Sequence, residues 1–545
     1  MNKTLLALTL SALFGLSGCN NDDNDVSLPA ENESGQTVEE DQDDIHSNWS
    51  EVNQWYIDGQ QRVVDAEKLS VTNETGVANN IILFIGDGMG ISTVTAARIL
   101  DGQLKGQTGE ENILSFESFP YVGLSKTFNT DAQTPDSAGT MTAMMTGVKT
   151  DAGVISQAEG VTRGNCESTQ DQELVTALEL AAMAGMSTGV VSTARVTHAT
   201  PAATFAHVPE RDWESDADLP DEAVTHGCVD IAKQLFDFNT GKGVNVMLGG
   251  GRRAFIPNTI VDVEGKSGQR LDGVDLTAQW LAQYDNAAYV QDRDSFVTID
   301  PLKTDHLLGL FNSSHMEYDY DRTESGVSGE PSLAEMTAKS IDILQKNDKG
   351  FVLIVEAGRI DHGHHAGNAA RALHDTIALS QAVRIAMEKT SIKDTLLIVT
   401  ADHSHVMTIG GYPVRGNPIL GLVKSTDANG LAELTHATDS NGLPYTTLGY
   451  ANGLGYTPLA VGGDERYDHP ASTGRVDLNY VNTQSASHHQ EALIPLNSET
   501  HGGEDVAIFA QGPGAHLVQG TVEQNHIFHV INHAGNLLGK AQAEQ

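Results

Sequence analysis

The stretch Phe351-Val-Leu-Ile-Val-Glu356-Ala-Gly-Arg-Ile-Asp361-His-Gly-His-His365 opens as an apolar β-branched run and closes on carboxylates and imidazoles. The apolar half has no helical period, so it reads as a strand buried in a parallel sheet. Asp361 and His365 are four apart; on a helical turn they share one face and can hold one metal ion. An acidic surface loop with solvated histidines is the plain alternative. Recurrence weakens it. Residues 79–90, Asn-Asn-Ile-Ile-Leu-Phe-Ile-Gly-Asp87-Gly-Met-Gly, form a second apolar run ending in a carboxylate between glycines. Glycine there allows a tight turn and close approach of a ligand to the backbone. Thr395-Leu-Leu-Ile-Val-Thr-Ala delivers Asp402-His403 in the same manner.

Helical segments fall between these runs, over 92–100, 171–186, 333–346 and around Leu379, Val383 and Ala386. Strands alternating with helices predict a three-layer α/β/α fold with a largely parallel central sheet. Asp87, Glu356 and Asp402 would then all lie at carboxyl ends of strands, the edge where open α/β sheets bind ligands. In residues 134–150, Pro135-Asp136-Ser137 precedes a run of Met and Ala, which signals a helix start. Ser137 at that N-terminus would meet free N–H groups and a dipole that favour an anion; a plain capping serine is the alternative. Further along come strand Thr188-Gly-Val-Val-Ser-Thr, the loop His198-Ala-Thr200-Pro201, Arg211, and strand Val244–Leu248 running into Gly249-Gly-Gly251, where the glycines read as packing residues. Residues 408–500 are rich in Gly, Asn, Thr and Tyr and read as an inserted loop-and-strand subdomain, with residues 501–545 completing the core and no internal repeat.

A chain of 545 residues, 39% hydrophobic, can bury a large core. Its formal charge of −41 repels polyphosphate backbones, which argues against nucleic-acid binding. Lys3 and the apolar run Leu5 to Leu16 read as an export signal over residues 1–18, too short to span a bilayer. Leu16-Ser17-Gly18-Cys19 resembles a bacterial lipobox that would leave Cys19 lipidated; a plain secretory signal with a stray cysteine is the alternative. Residues 19–47 are acidic and read as a disordered tether to a core over 48–407. With Cys19 spent, Cys166 and Cys228 are an even pair, and export invites a disulfide between them; a buried unpaired pair is the alternative.

Together the motifs resemble the alkaline phosphatase family. Gly86-Asp87-Gly88-Met89-Gly90, Pro135-Asp136-Ser137-Ala138-Gly139-Thr140, His198-Ala-Thr200-Pro201-Ala202, Gly358-Arg-Ile-Asp361-His-Gly-His-His365, Thr400-Ala-Asp402-His403 and Glu499-Thr-His501-Gly-Gly occur in family order. The Asp-His-Gly-His-His run and Gly411-Tyr-Pro-Val-Arg-Gly416 resemble the animal-type branch. The resemblance implies a broad phosphate monoesterase with two zinc ions and one magnesium ion. Asp361, His365 and His501 would hold the first zinc, and Asp87, Asp402 and His403 the second. Asp87, Thr200 and Glu356 would hold magnesium. Ser137 would be the nucleophile, passing through a phosphoserine, and Arg211 the phosphate clamp, with His198 beside the magnesium set. His362 and His364 match no metal ligand. Inorganic phosphate would be both product and inhibitor. The branch also has a disulfide where Cys166 and Cys228 fall, and a homodimer whose crown-like region corresponds to residues 408–500. Membrane contact would run only through the lipid anchor, on the outer-membrane or periplasmic side of the envelope, or be lost on release. Asn312 after Phe311 departs from the branch, which has a calcium-binding glutamate there, so no calcium is expected.

Other readings are available within and outside that family. A sulfatase needs Cys/Ser-x-Pro-x-Arg, which Ser137-Ala-Gly-Thr-Met lacks; a diesterase needs room that Arg211 would crowd. A binding protein on a disarmed scaffold should have lost a ligand or the nucleophile, and every position is intact.

Overall fold

Along β1, Asn80–Gly86, side chains alternate between two buried cores: Ile81, Leu83 and Ile85 face one, Ile82 and Phe84 the other. That period of two with both faces apolar requires helices on each side. Helices Ser137–Thr146, Ala177–Met183 and His526–Gly535 cover the first face, and Ile91–Leu104, Leu333–Leu344 and Ala369–Lys389 the second. The protein is seen here as a computed structural model, which describes Gln61 and residues 76–238, 240–324, 329–455 and 475–544. Contacts divide the chain into residues 1–65 and 66–545, and the second unit holds the fold. The expected signal segment 1–18, Cys19 and tether 19–47 lie outside the described residues.

The remaining strands are β2 Tyr121–Lys126, β3 Ser187–Arg195, β4 Val246–Gly250, β5 Ala287–Val290, β6 His306–Leu310, β7 Phe351–Ala357, β8 Thr395–Ala401, β9 Ser404–His405, β10 Met407–Ile409, β11 Leu448–Gly453, β12 Ala492–Pro495, β13 His501–Gly502, β14 Val506–Gln511 and β15 Gly520–Glu523. Ten of them form one sheet in the order β15-β2-β14-β8-β1-β7-β3-β4-β6-β5. Only β14 runs against its neighbours β8 and β2, so the sheet is largely parallel as expected. Register brings the strand ends level: Gly86 pairs with Ala357 of β7 and Ala401 of β8, and Ser192 with Glu356. Asp87, Glu356 and Asp402 therefore meet at one edge.

Within 408–500, the described residues contribute to a separate sheet in the order β10-β11-β12. The connection from β10 to β11 is pinned to the helix Ile91–Leu104 by Gln103, which donates to the Asn417 carbonyl at 2.8 Å and accepts from Ile419 N at 3.0 Å. Thr426-Asp427-Ala-Asn429-Gly430-Leu431 and Thr438-Asp439-Ser-Asn441-Gly442-Leu443 are two copies of one turn. In each, the aspartate side chain accepts two backbone N–H groups and glycine takes a positive φ of 78°. The repeat is too short to stand out against the surrounding Gly and Asn. The Gly249–Gly251 run serves packing, as a Cβ on Gly250 would lie 2.1 Å from the Ser314 carbonyl oxygen.

Candidate active site

Capping chemistry frees Ser137. Asp136 is the N-cap of its helix, accepting from Gly139 N at 3.1 Å, so Ser137 is the first helical residue and its hydroxyl is not spent on the backbone. Ser137 Oγ lies 3.4 Å from Asp87 Oδ1 and 3.2 Å from His403 Nε2. The second oxygen of Asp136 accepts from Arg211 Nη1 at 2.9 Å and from Gly153 N at 2.9 Å. The same aspartate thus starts the helix and aims the arginine. Arg211 Nη2 donates to His198 Nε2 at 3.1 Å.

Turn geometry brings the carboxylates close. Gly88, at φ +69°, donates its N–H to Asp402 Oδ1 at 2.9 Å. A Cβ there would lie 2.3 Å from the ring of His405, so the glycine makes room for that imidazole. Asp361, one turn before His365 on the helix Arg359–His365, places Oδ1 3.2 Å from His365 Nε2 and 3.4 Å from His501 Nε2.

Carbonyl oxygens fix the tautomers, because they can only accept. Nδ1–H donates to the Glu499 carbonyl from His365 (2.6 Å), to the Pro135 carbonyl from His501 (2.7 Å) and to the Ser404 carbonyl from His403 (3.2 Å). In the neutral rings each Nε2 is then a bare lone pair, and those of His365 and His501 face one another at 3.0 Å. Three groups have their ligand atoms within 4.8 Å of one another: Asp361, His365, His405 and His501; Asp87, Asp361 and His403; and Asp87, His198 and Glu356. Asp402 adjoins the second group, its Oδ2 3.3 Å from His403 Nε2.

The donor set fits metal ions. Asp87 Oδ2, Glu356 Oε1 and Thr200 Oγ1 are buried with no hydrogen-bond partner among the described residues. Burial, then the carboxylates of Asp402, Asp361 and Glu356, push Asp87 well above the usual carboxylate range. Burial pushes Glu356 up to about 7, against the pull of the Ser192 hydroxyl that donates to it. Burial also opposes ionisation of Asp361, yet the imidazoles of His365, His405 and His501 hold it well below its ordinary value. Crowding four carboxylates in a dry pocket is costly without cations, and divalent ions would remove the conflict.

Asp87, Ser137, His198, Thr200, Arg211, Glu356, Asp361, His365, Asp402, His403 and His501 are thus brought together at this edge, whereas Tyr412 of the Gly411–Gly416 run is exposed, Arg415 pairs with Glu111, and Cys19 lies outside the described residues. His362 packs its ring on those of His315 and His198, at 4.1 and 5.6 Å. His364 is bonded to Thr93 Oγ1 (3.0 Å) and the Tyr450 hydroxyl (2.8 Å). Sequence reasoning missed His405 and the Glu499 side chain. His405 donates Nε2–H to Asp361 Oδ1 (2.8 Å) and Nδ1–H to Glu499 Oε2 (2.5 Å). Burial opposes its charging, but Glu499 and Asp361 outweigh that and push it up to about 10. With a carboxylate oxygen at each ring nitrogen, His405 is placed to hold Asp361 as well as lying within the first ligand group. The signal was the second histidine of Asp402-His-Ser-His405, which pattern alone does not separate from a ligand. The expected Cys166–Cys228 disulfide is present, with Cα atoms 6.0 Å apart.

A family model described as alkaline phosphatase matches residues 78–537. The chain is 46% identical over 491 residues to the tissue-nonspecific alkaline phosphatase isozyme of Gallus gallus, covering 88% of each. It is 45% identical over 488 residues to the Homo sapiens isozyme, again covering 88% of each. With an alkaline phosphatase of Gadus morhua it shares 43% over 487 residues, covering 88% of this chain and 96% of the relative. Among solved structures, that of the Thermus thermophilus alkaline phosphatase aligns with a TM-score of 0.58 and 24% identity, covering 87% of this chain and 96% of the other. That from the Antarctic bacterium TAB5 aligns with a TM-score of 0.56 and 21% identity, covering 85% and 99%. These structural likenesses bear on the fold.

Proposed function

The chain belongs to the alkaline phosphatase family, and on that premise we propose that it hydrolyses small phosphate monoesters through a phosphoserine on Ser137. The observation that carries the reading is the position of Ser137 Oγ, 3.4 Å from Asp87 and 3.2 Å from His403 at the start of a helix. Asp361, His365 and His501 would hold one zinc ion; Asp87, Asp402 and His403 a second; Asp87, Thr200 and Glu356 magnesium, with His198 beside them. Bound there, the ions supply Lewis-acid stabilisation of charge on the reacting oxygens. In the first displacement Ser137 Oγ forms a bond to phosphorus and the ester oxygen leaves as the alcohol, taking up a proton. In the second, water forms the P–O bond, Ser137 Oγ leaves and recovers a proton, and inorganic phosphate departs. Arg211, aimed by Asp136, grips two non-bridging oxygens in its planar fork through both steps. The free helix N–H groups behind Ser137 add their partial charge. Phosphate fits the same grip, so it inhibits.

Export, lipid anchoring at Cys19 and a homodimer built on residues 408–500 are parts of the same proposal. Exposed Leu431, Leu434, Leu493 and Ile494 in that region favour a covered surface. Among the described residues no helix is long and apolar enough to cross a membrane. The test is hydrolysis of an aryl phosphate at alkaline pH by wild type, Ser137→Ala and a chelated sample. Turnover lost in both controls, and restored to the chelated sample by zinc with magnesium, supports the reading. A folded, metal-loaded protein without monoester turnover sinks it.

A further inference from the structure

Glu499 is joined to the first metal set twice, directly at His365 through its backbone and at Asp361 by way of His405 through its side chain. Its carbonyl accepts from His365 Nδ1 at 2.6 Å and its N–H donates to the His365 carbonyl at 3.0 Å. Its carboxylate, 1% exposed, accepts from His405 Nδ1 at 2.5 Å and from Val406 N at 2.8 Å. The other N–H of His405 reaches Asp361 Oδ1 at 2.8 Å. Two residues on, His501 pairs with His405 across the short ladder of β9 and β13. The inserted segment is shaped around this residue too: a Cβ on Gly453, the last residue of β11, would lie 3.1 Å from Glu499 Cβ.

We propose that the Glu499 side chain is the positioning residue of the first metal set, acting through His405 to fix the orientation in which the Asp361 carboxylate meets a cation. A carboxylate presents two equivalent oxygens and turns easily about its last bond. Here Oδ1 meets His405 Nε2 at 2.8 Å and faces the Nε2 atoms of His365 and His501 at 3.2 and 3.4 Å, so the His405 bond holds that oxygen, with its remaining lone pair, toward the two imidazoles. His405 can hold Oδ1 only while its ring is fixed, and the acceptor that fixes it is Glu499. Outer partners of this kind set ligand orientation and basicity, and losing one costs metal affinity. Among the described residues Arg211 and Asp136 make no hydrogen bond to Glu499, His405 or Asp361, so KM reports on a separate part of the site. The inference rests on reading Asp361, His365 and His501 as a zinc set.

The experiment compares full-length wild type with Glu499→Gln, His405→Gln and the double variant. Zinc affinity is read by competition with a chromophoric chelator, and melting of the metal-free protein is read in parallel. Glu499→Gln is expected to bind one zinc about 10–100-fold more weakly, to melt like wild type without metal, and to recover turnover with unchanged KM in excess zinc. In the His405→Gln background it should cost nothing further. Unchanged zinc affinity, additive losses, or collapse of metal-free melting each overturn the assignment, the last by making Glu499 a support of the fold. Wild type that takes up no zinc overturns the functional reading and this one with it, a failure separate from zinc uptake that Glu499→Gln leaves unaltered.

Discussion

At Arg211 the guanidinium spends one nitrogen on Asp136 and another on His198, so its orientation is set before any substrate arrives. A preset planar fork loses little entropy on meeting phosphate oxygens. Arg211→Ala should therefore raise KM for an aryl phosphate about 10–100-fold, as expected for losing charge-assisted hydrogen bonds of about 1.5–3 kcal/mol. Phosphate inhibition should weaken in parallel while Ser137-dependent turnover persists; an unchanged KM would remove Arg211 from the grip. Asn312, where the sequence departs from the animal branch, donates its amide to Glu330 Oε1 at 2.8 Å, and Glu317 N donates to Oε2 at 2.8 Å. Burial nevertheless pushes Glu330 from an ordinary 4.5 up to about 7. The folded protein thus holds this proton more tightly than the unfolded chain. Stability from the group is full below about pH 4.5 and is lost as pH rises through about 7. Urea denaturation at pH 5 and pH 8 should show wild type losing up to about 3 kcal/mol relative to Glu330→Gln; parallel curves would contradict the shift.

Among elements, the helix Arg359–His365 is tied to the inserted sheet by one side chain. Tyr450, on β11, bonds His364 Nδ1 in a fully buried contact, and His364 Nε2 meets Thr93 at the start of another helix. Tyr450→Phe should strand a buried ring nitrogen and cost about 1–3 kcal/mol in denaturant unfolding. A neutral result would show that the metal helix does not lean on the insertion. Contacts of this kind explain what could be read beforehand. The apolar runs of β1, β7 and β8, each closing on a carboxylate, carry fold and site together, since burial on two faces and chemistry at the strand end are both local patterns. The reversal of β14 is not local: Val506-Ala-Ile-Phe-Ala reads like its parallel neighbours, and only pairing with β2 and β8 sets its direction. His405 and Glu499 were illegible for the same reason, as their partners lie 44 and 94 positions away. The N-cap was misleading in a narrower way. Asp136 and Ser137 both suit a cap, and only the fold assigns it to Asp136, leaving the serine hydroxyl free.

For the whole molecule, the cross-link between Cys166 and Cys228 closes a loop with a separation of 62 residues. Inside it lie His198, Thr200 and Arg211, whereas Ser137, Asp87 and the Asp361, His365 and His501 set lie outside. The loop is also fastened natively: Glu222 accepts from Cys166 N and Glu167 N, Arg211 N donates to the Gly153 carbonyl, and Arg163 pairs with Glu210. The cross-link therefore acts mainly on the unfolded chain, where a loop of this size removes about 4 kcal/mol of conformational freedom in the chain-entropy account. Cys166→Ser with Cys228→Ser should lower unfolding free energy by up to that amount, and a reductant should do the same to wild type. Because native contacts still hold Arg211, KM and turnover below the melting transition should stay within about twofold, well short of the tenfold that 1.4 kcal/mol would give. Lost affinity for phosphate without lost stability would reverse the assignment and make the disulfide a part of the phosphate grip.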